Sequence, residues 1–156
     1  MKALILFCLF CTLSVAQNTL FLLPHRWIDA RHRLLDEIRS APRQIVVVTS
    51  RLDDRQLEKA LRGALRHEKH IELLTTSART ASKWAIYRDV SVCLLPNPLR
   101  FSMLIAQNVC LASGDLTTDA FKYGYGFVRC DTAIDSGQTL AWLRRDCRPY
   151  LTAESP

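Results

Sequence analysis

Glycine and proline are scarce, at 5 and 6 of 156 residues, which excludes collagen-like and low-complexity material. Charged residues make up only 23% against 49% hydrophobic, so the chain lacks the composition of a disordered segment. Six cysteines are too few for a miniprotein held by disulfides alone, and the length suffices for a true core. No repeat and no linker interrupts it, so one domain is expected. The cysteine spacing contains no paired short knuckle of the zinc type. His25, His32, His67 and His70 likewise fall at no spacing that suggests a metal site or a catalytic triad. No metal or cofactor is expected. Positive charge is what the chain has in excess, 21 Lys and Arg against 15 Asp and Glu. The surplus of +6 favours anionic partners without naming one.

The start of the chain has its own pattern. Met1-Lys2 precede the apolar run Ala3 to Cys11, and Ser14 and Ala16 supply small residues for cleavage. This is the layout of a signal peptide over residues 1–16, leaving 17–156 as an exported domain in the periplasm or outside the cell. The alternative is an uncleaved membrane anchor continuing through Leu20-Phe21-Leu22-Leu23. Gln17-Asn18-Thr19 interrupts that run, and a spanning helix needs about 20 mostly apolar residues. After cleavage no stable membrane span is expected.

Export decides how the cysteines are read. Cys93, Cys110, Cys130 and Cys147 remain in an oxidising compartment, an even number expected to form two disulfides. Three connectivities are open, and sequence alone does not choose among them.

Hydrophobic periodicity then alternates between helix and strand. Leu34, Leu35 and Ile38 give a helix over Asp29–Ser40, closed by Pro42. Gln44–Thr49 is a continuous apolar run, as expected for a strand covered on both faces. Asp53 or Asp54 caps a helix bearing Leu57, Leu61, Ala64 and Leu65. Strands follow at Ile71–Thr75 and Val90–Leu95, with a helix over Ala78–Tyr87 between them and a break at Pro96-Asn97-Pro98. Phe101–Ala106 and Val109–Ala112 read as a hairpin across Gln107-Asn108. Ser113–Thr118 reads as a polar loop, Gly124–Cys130 as a strand and Thr139–Cys147 as a helix. The order predicts an α/β domain, with a mixed β-sheet flanked by helices on both faces.

From about Ile38 to Arg148 this order resembles a single-motif member of the phospholipase D superfamily, of the kind that includes small exported bacterial endonucleases. In that family a His-x-Lys-x4-Asp motif opens a hairpin, and a Gly-Ser-x-Asn-Leu-Thr-like loop follows. The corresponding stretch here runs from Arg100-Phe101-Ser102 through Gln107 to Ala112-Ser113-Gly114-Asp115-Leu116-Thr117. The framework is similar, but the signature is degenerate. Arg100 stands at the nucleophilic His position, Ser102 at the phosphate-binding Lys position and Gln107 at the Asp position. A phosphohistidine mechanism needs an imidazole, and arginine stays protonated and is no nucleophile. Ser102 would need a neighbouring base, and Gln107 is not one. His67-Glu68-Lys69 repeats the first letters of the motif, but Leu74 stands where its Asp belongs.

The resemblance therefore implies the fold and withholds the catalytic residues. Strand alternation places Arg100 and Ser102 on one face, with Ser113 and Asp115 similarly spaced on a neighbouring segment. These four form a candidate phosphate-binding set; the simpler alternative is an Arg100–Asp115 ion pair that needs no ligand. Arg51, Arg55, Lys59, Arg62 and Arg66 make a basic stripe, interleaved with Asp53, Asp54, Glu58 and Glu68 and lacking aromatic platforms. An ordinary solvated helix face is the expectation there.

Three function classes follow. The first is an inactive exported domain acting as a binding or assembly protein, with a residual site for a phosphodiester, nucleic acid or phospholipid headgroup. The second is a phosphodiesterase, of phospholipase D or endonuclease type, with a divergent site. The third is a membrane-associated structural protein retaining its first segment. Because the family joins two motif copies, a homodimer is the partner that the resemblance implies.

Overall fold

The computed structural model describes residues 20–131 and 134–151. The signal-peptide reading of residues 1–16 lies outside them. In chain order the elements are β1 (Leu20–Leu23), α1 (Trp27–Ser40), β2 (Gln44–Val48), α2 (Arg55–Arg66), β3 (His70–Thr75), α3 (Ala78–Trp84) and β4 (Val90–Leu94). The second half holds β5 (Ser102–Ile105), β6 (Val109–Ala112), α4 (Thr118–Tyr123), β7 (Gly126–Asp131), α5 (Gly137–Asp146) and β8 (Arg148–Pro149). The strands form one sheet ordered β1-β7-β6-β5-β2-β3-β4-β8. β2, β3 and β4 are parallel, and every other neighbouring pair is antiparallel. The mixed sheet is the one expected.

Consecutive apolar residues in β2 follow from its position, because both faces of this central strand are covered. Ile45 and Val47 join Leu34, Leu35 and Ile38 of α1, Leu57 and Leu61 of α2, Trp84 of α3 and Phe121 of α4 in one core. Val46 and Val48 point the other way, into a smaller core closed by Leu140 and Leu143 of α5. Among the described residues, four helices thus lie on one face and one on the other. The smaller core does not reach across the sheet, which leaves Leu22, at 59% exposure, and its cross-strand partner Phe127 uncovered.

Two elements were not assigned from sequence. Leu20–Leu23, which the uncleaved-anchor alternative takes as part of an apolar leader, is a strand paired antiparallel with β7. Between the stretches read as loop and as strand, Thr117 caps the short helix α4, whose Phe121 anchors it in the larger core. Smaller shifts also occur: α3 ends at Trp84 and α5 starts at Gly137. Among the described residues no helix is long and apolar enough to cross a membrane.

The disulfides are Cys93–Cys147 and Cys110–Cys130. Cys110 and Cys130 are direct cross-strand partners of β6 and β7. Cys147, at the end of α5, fastens that helix to β4. Between Asp53 and Asp54 the cap falls to Asp54, whose carboxylate accepts the N–H groups of Gln56 and Leu57. That carboxylate also accepts the Thr118 hydroxyl at 3.0 Å and faces Arg31, so it ties α2 to α4 and α1.

Gly63 lies inside α2, and a Cβ there would meet nothing within 4 Å. Glycine destabilises a helix interior by about 1 kcal/mol relative to alanine. Gly63→Ala should therefore stabilise the protein by about 0.5–1 kcal/mol, seen as a higher urea midpoint with an unchanged slope. A lowered midpoint would contradict it.

Candidate functional site

The carboxyl ends of β2, β3 and β4 meet the start of β5 and the end of β6, and the loops after these strands form a mouth. Its floor is built from hydroxyls. Ser102 is fully buried, and its Oγ donates to Thr49 Oγ1 at 2.7 Å. Thr49 Oγ1 donates in turn to the Arg51 carbonyl at 2.9 Å and accepts the Leu116 N–H at 3.3 Å. Its one donor and both acceptor positions are therefore occupied. Beside it, Thr75 Oγ1 donates to the Ser50 carbonyl at 3.0 Å and accepts the Ser77 N–H at 3.2 Å. These bonds lock the loop after β2 to β3, β5 and the loop after β6, and a bridge between Leu52 and Leu116 reinforces the last contact.

This arrangement corrects the predicted anion set. Arg100 precedes β5 and is exposed, whereas Ser102 is sealed below it, so the two do not share an open face. Alternation failed because the strand begins only at Ser102. Gln107 lies exposed in the hairpin turn, at the far end of β5 from Arg100. Arg100 and Ser113 do line one groove of about 490 Å³, together with Phe101, Phe127, Asp135 and Trp142. The Ser113 hydroxyl is already engaged there, accepting the Phe127 N–H at 2.8 Å. Gly126 makes this fit, since a Cβ at that position would collide with the Ser113 Oγ.

Asp115 is not the partner of Arg100. Its nearby cation is Arg51, and the backbone N–H groups of Ser50 and Arg51 also face its carboxylate. Burial nevertheless prevails over these contacts and raises its pKa above the ordinary aspartate value, with Asp53 adding to the rise. A raised folded-state pKa favours folding at low pH and loses that contribution as pH climbs through it. Asp115→Asn should accordingly raise the melting temperature at neutral pH, with the gain shrinking towards zero on acidification below the aspartate range. A gain independent of pH would show that the carboxylate charge is not its source.

The strongest positional signals missed by sequence reasoning are Thr49 and Thr75. Both end long apolar strands with a hydroxyl, a pattern visible in Val48-Thr49 and Leu74-Thr75. Arg51 was grouped with the basic helical stripe, but it belongs to the mouth, where it pairs with Asp53. All four histidines are exposed. His67 and His70 sit at the opposite end of the parallel strands, and His25 and His32 lie at and before the outer helix α1.

No protein-family model and no curated protein matches the chain in sequence. Solved structures do match it in shape. NucT from Helicobacter pylori superposes with a TM-score of 0.73 at 18% identity, covering 84% of this chain and 97% of its own. Nuc from Salmonella typhimurium, a phospholipase D family member, gives 0.65 at 14% identity, covering 85% and 97%. TrmBL2, an archaeal chromatin protein with a novel mode of DNA binding, gives 0.58 at 14% identity, with 85% of this chain matched to 53% of that one. The two nearly full-length matches agree: this chain has the phospholipase D fold.

Proposed function

We propose that this chain is an exported phospholipase D-like domain that does not hydrolyse phosphodiesters and acts as a binding or assembly protein. The observation that carries the reading is Ser102. At the position where the related signature has its phosphate-binding lysine, a neutral hydroxyl is fully buried and committed to Thr49. Above it, Arg100 offers a permanent charge and no nucleophile. Such a mouth attracts a phosphate-type anion at Arg100 without supplying the proton transfers that ester cleavage needs. Phosphodiesters, nucleic acid and phospholipid headgroups share that anion.

The partner in this reading is a second copy of the chain. Leu22, Phe127 and Trp142, at 59%, 40% and 52% exposure, form an apolar rim beside the Arg100 groove. Pairing of two such rims would bring two mouths together. The paired disulfides support an oxidising, extracytoplasmic location.

Purified oxidised protein should leave DNA, phospholipid and a chromogenic phosphodiester intact while binding phosphate or sulfate weakly. Arg100→Ala should abolish that anion binding, and Arg100→His alone should restore no hydrolysis, because Ser102 supplies no lysine charge. Turnover that disappears in Arg100→Ala or Ser102→Ala would overturn the proposal in favour of a phosphodiesterase with a divergent site.

A further inference from the structure

On the face of the sheet opposite the Arg100 groove, α1 and α2 leave a second groove of about 850 Å³ between them. Arg39, Arg55, Lys59, His67 and Lys69 line it, and no acidic side chain among the described residues does. Three of the four acids interleaved with these cations in sequence are engaged elsewhere, while exposed Glu68 lies between His67 and Lys69 without lining the groove. Glu58 pairs with Lys83 and Arg62, Asp53 with Arg51, and Asp54 is the buried cap facing Arg31. Arg55 and Lys59 have no ion-pair partner among the described residues. Arg39 has only an exposed pair with Asp36, the kind that contributes little. The simple solvated stripe expected from sequence is therefore divided: Arg51 and Arg62 have acidic partners, and Arg55 and Lys59 in the groove have none among the described residues.

The floor adds a second observation. Ala60, Gly63 and Ala64 keep it shallow in side chains, and Gly63 is not demanded by packing, since a Cβ there meets nothing within 4 Å. A helix-weakening residue with no packing need leaves room for something outside the chain to approach the backbone.

We propose that this groove holds the phosphate backbone of a nucleic-acid duplex, without regard to sequence. A backbone is a ridge of regularly spaced negative charge, which a concave cationic channel fits. Arg55 and Lys59 are one turn apart, about 6 Å along the helix, and Arg39 and Lys69 face the same channel from other elements. A flat anionic bilayer would touch the exposed Arg39, Arg55 and Lys59 without filling the channel between them. Among the described residues no aromatic side chain lines the groove to stack on an unpaired base, so the contacts are to phosphates of bases that stay paired. The surface is separated from the mouth by the sheet, and the proposal does not depend on what Arg100 binds.

The test uses the oxidised full-length protein and two fluorescent duplexes of unrelated sequence, with anisotropy followed from low to moderate salt. Both duplexes should bind equally, with log K falling against log salt at a slope of about −3 to −4, as three to four phosphate contacts require. The surface double variant Arg55→Gln/Lys59→Gln should reduce low-salt affinity by about tenfold or more and make the slope shallower by about 2. Gly63→Glu, which puts a carboxylate on the floor, should also reduce binding, while Gly63→Ala should retain it. Circular dichroism confirms folding of each, and the double variant alone decides the matter if Gly63→Glu does not fold. Absence of salt-dependent binding would overturn the proposal. So would wild-type behaviour of the double variant, or binding to phosphatidylglycerol vesicles with none to duplex. Loss of duplex binding in Arg100→Ala alone would move the contact to the mouth and overturn it equally. Phosphate binding and turnover at Arg100 are measured separately, so this failure and failure of the binding-protein reading are distinguishable.

Discussion

Glu37→Ala should destabilise the protein by about 3–5 kcal/mol, although it touches no part of the mouth. The carboxylate of Glu37 is only 2% exposed, on the inner side of α1. One oxygen accepts the Asn108 side-chain amide at 2.7 Å and pairs with Arg33 at 2.7 Å, and the other accepts the Asn108 backbone N–H at 3.1 Å. Removing it strands two donors of the β5–β6 turn and leaves Arg33, two-thirds buried, without its counter-charge. Glu37→Gln should recover only part of the loss, since its amide NH2 faces groups that also donate. Urea unfolding with an unchanged slope measures the difference. A loss below about 1 kcal/mol would mean that water replaces the carboxylate and that the turn is not held from α1. Because the same turn sets the register of β5, the variant should also loosen Ser102 from Thr49 at the far end of that strand.

The parts of this fold that were legible in sequence are those whose residues answer to a single force. Ile45–Val48 and Val90–Leu95 are long apolar runs that only a covered strand accommodates, and they became β2 and β4. The hairpin was legible from its two apolar segments and polar turn. Leu20–Leu23 was not, because the same four residues extend an apolar leader as readily as they pair with β7. α4 is six residues long and is held by its Thr117 cap and by Phe121 in the core, neither of which leaves a periodic pattern. At the mouth, the residue types themselves were legible, since arginine at position 100 and serine at 102 are plain in the sequence. Their placement was another matter. Alternation places residues on one face only within a strand, and β5 starts two residues too late for Arg100 to obey it. The cationic groove was half legible: spacing collected Arg55 and Lys59, but only folding reveals that Glu58 turns away to Lys83. It also brings Lys69 beside them, with its Nζ donating to the carbonyls of Ile38 and Arg39 at the end of α1.

Removing the Cys93–Cys147 bridge should cost about 4 kcal/mol, more than any single surface change in this chain. The bridge closes a separation of 54 residues, and the entropy restored to the unfolded chain grows with the logarithm of that length. In the folded state it also does a local job. α5 is the one helix on its face of the sheet, it buries only Leu140 and Leu143 deeply, and its end is fixed to β4 through Cys147 and the short β8 pairing. Arg144 adds a bidentate pair to Glu72 of β3, at 2.8 and 2.6 Å, but this lies at the surface and contributes little once solvent screens it. Cys93→Ala/Cys147→Ala should therefore lower the urea midpoint strongly and increase hydrogen exchange in α5 and β8 before the larger core opens. The Cys110–Cys130 bridge closes a separation of only 20 residues between strands that already pair, so in Cys110→Ala/Cys130→Ala faster exchange should spread from β6 and β7 instead. Alkylation before reduction should find none of the four thiols free. Four reactive thiols in exported protein, or an α5 that exchanges no faster without its bridge, would show that packing against Val46, Val48 and Leu74 suffices to hold the helix.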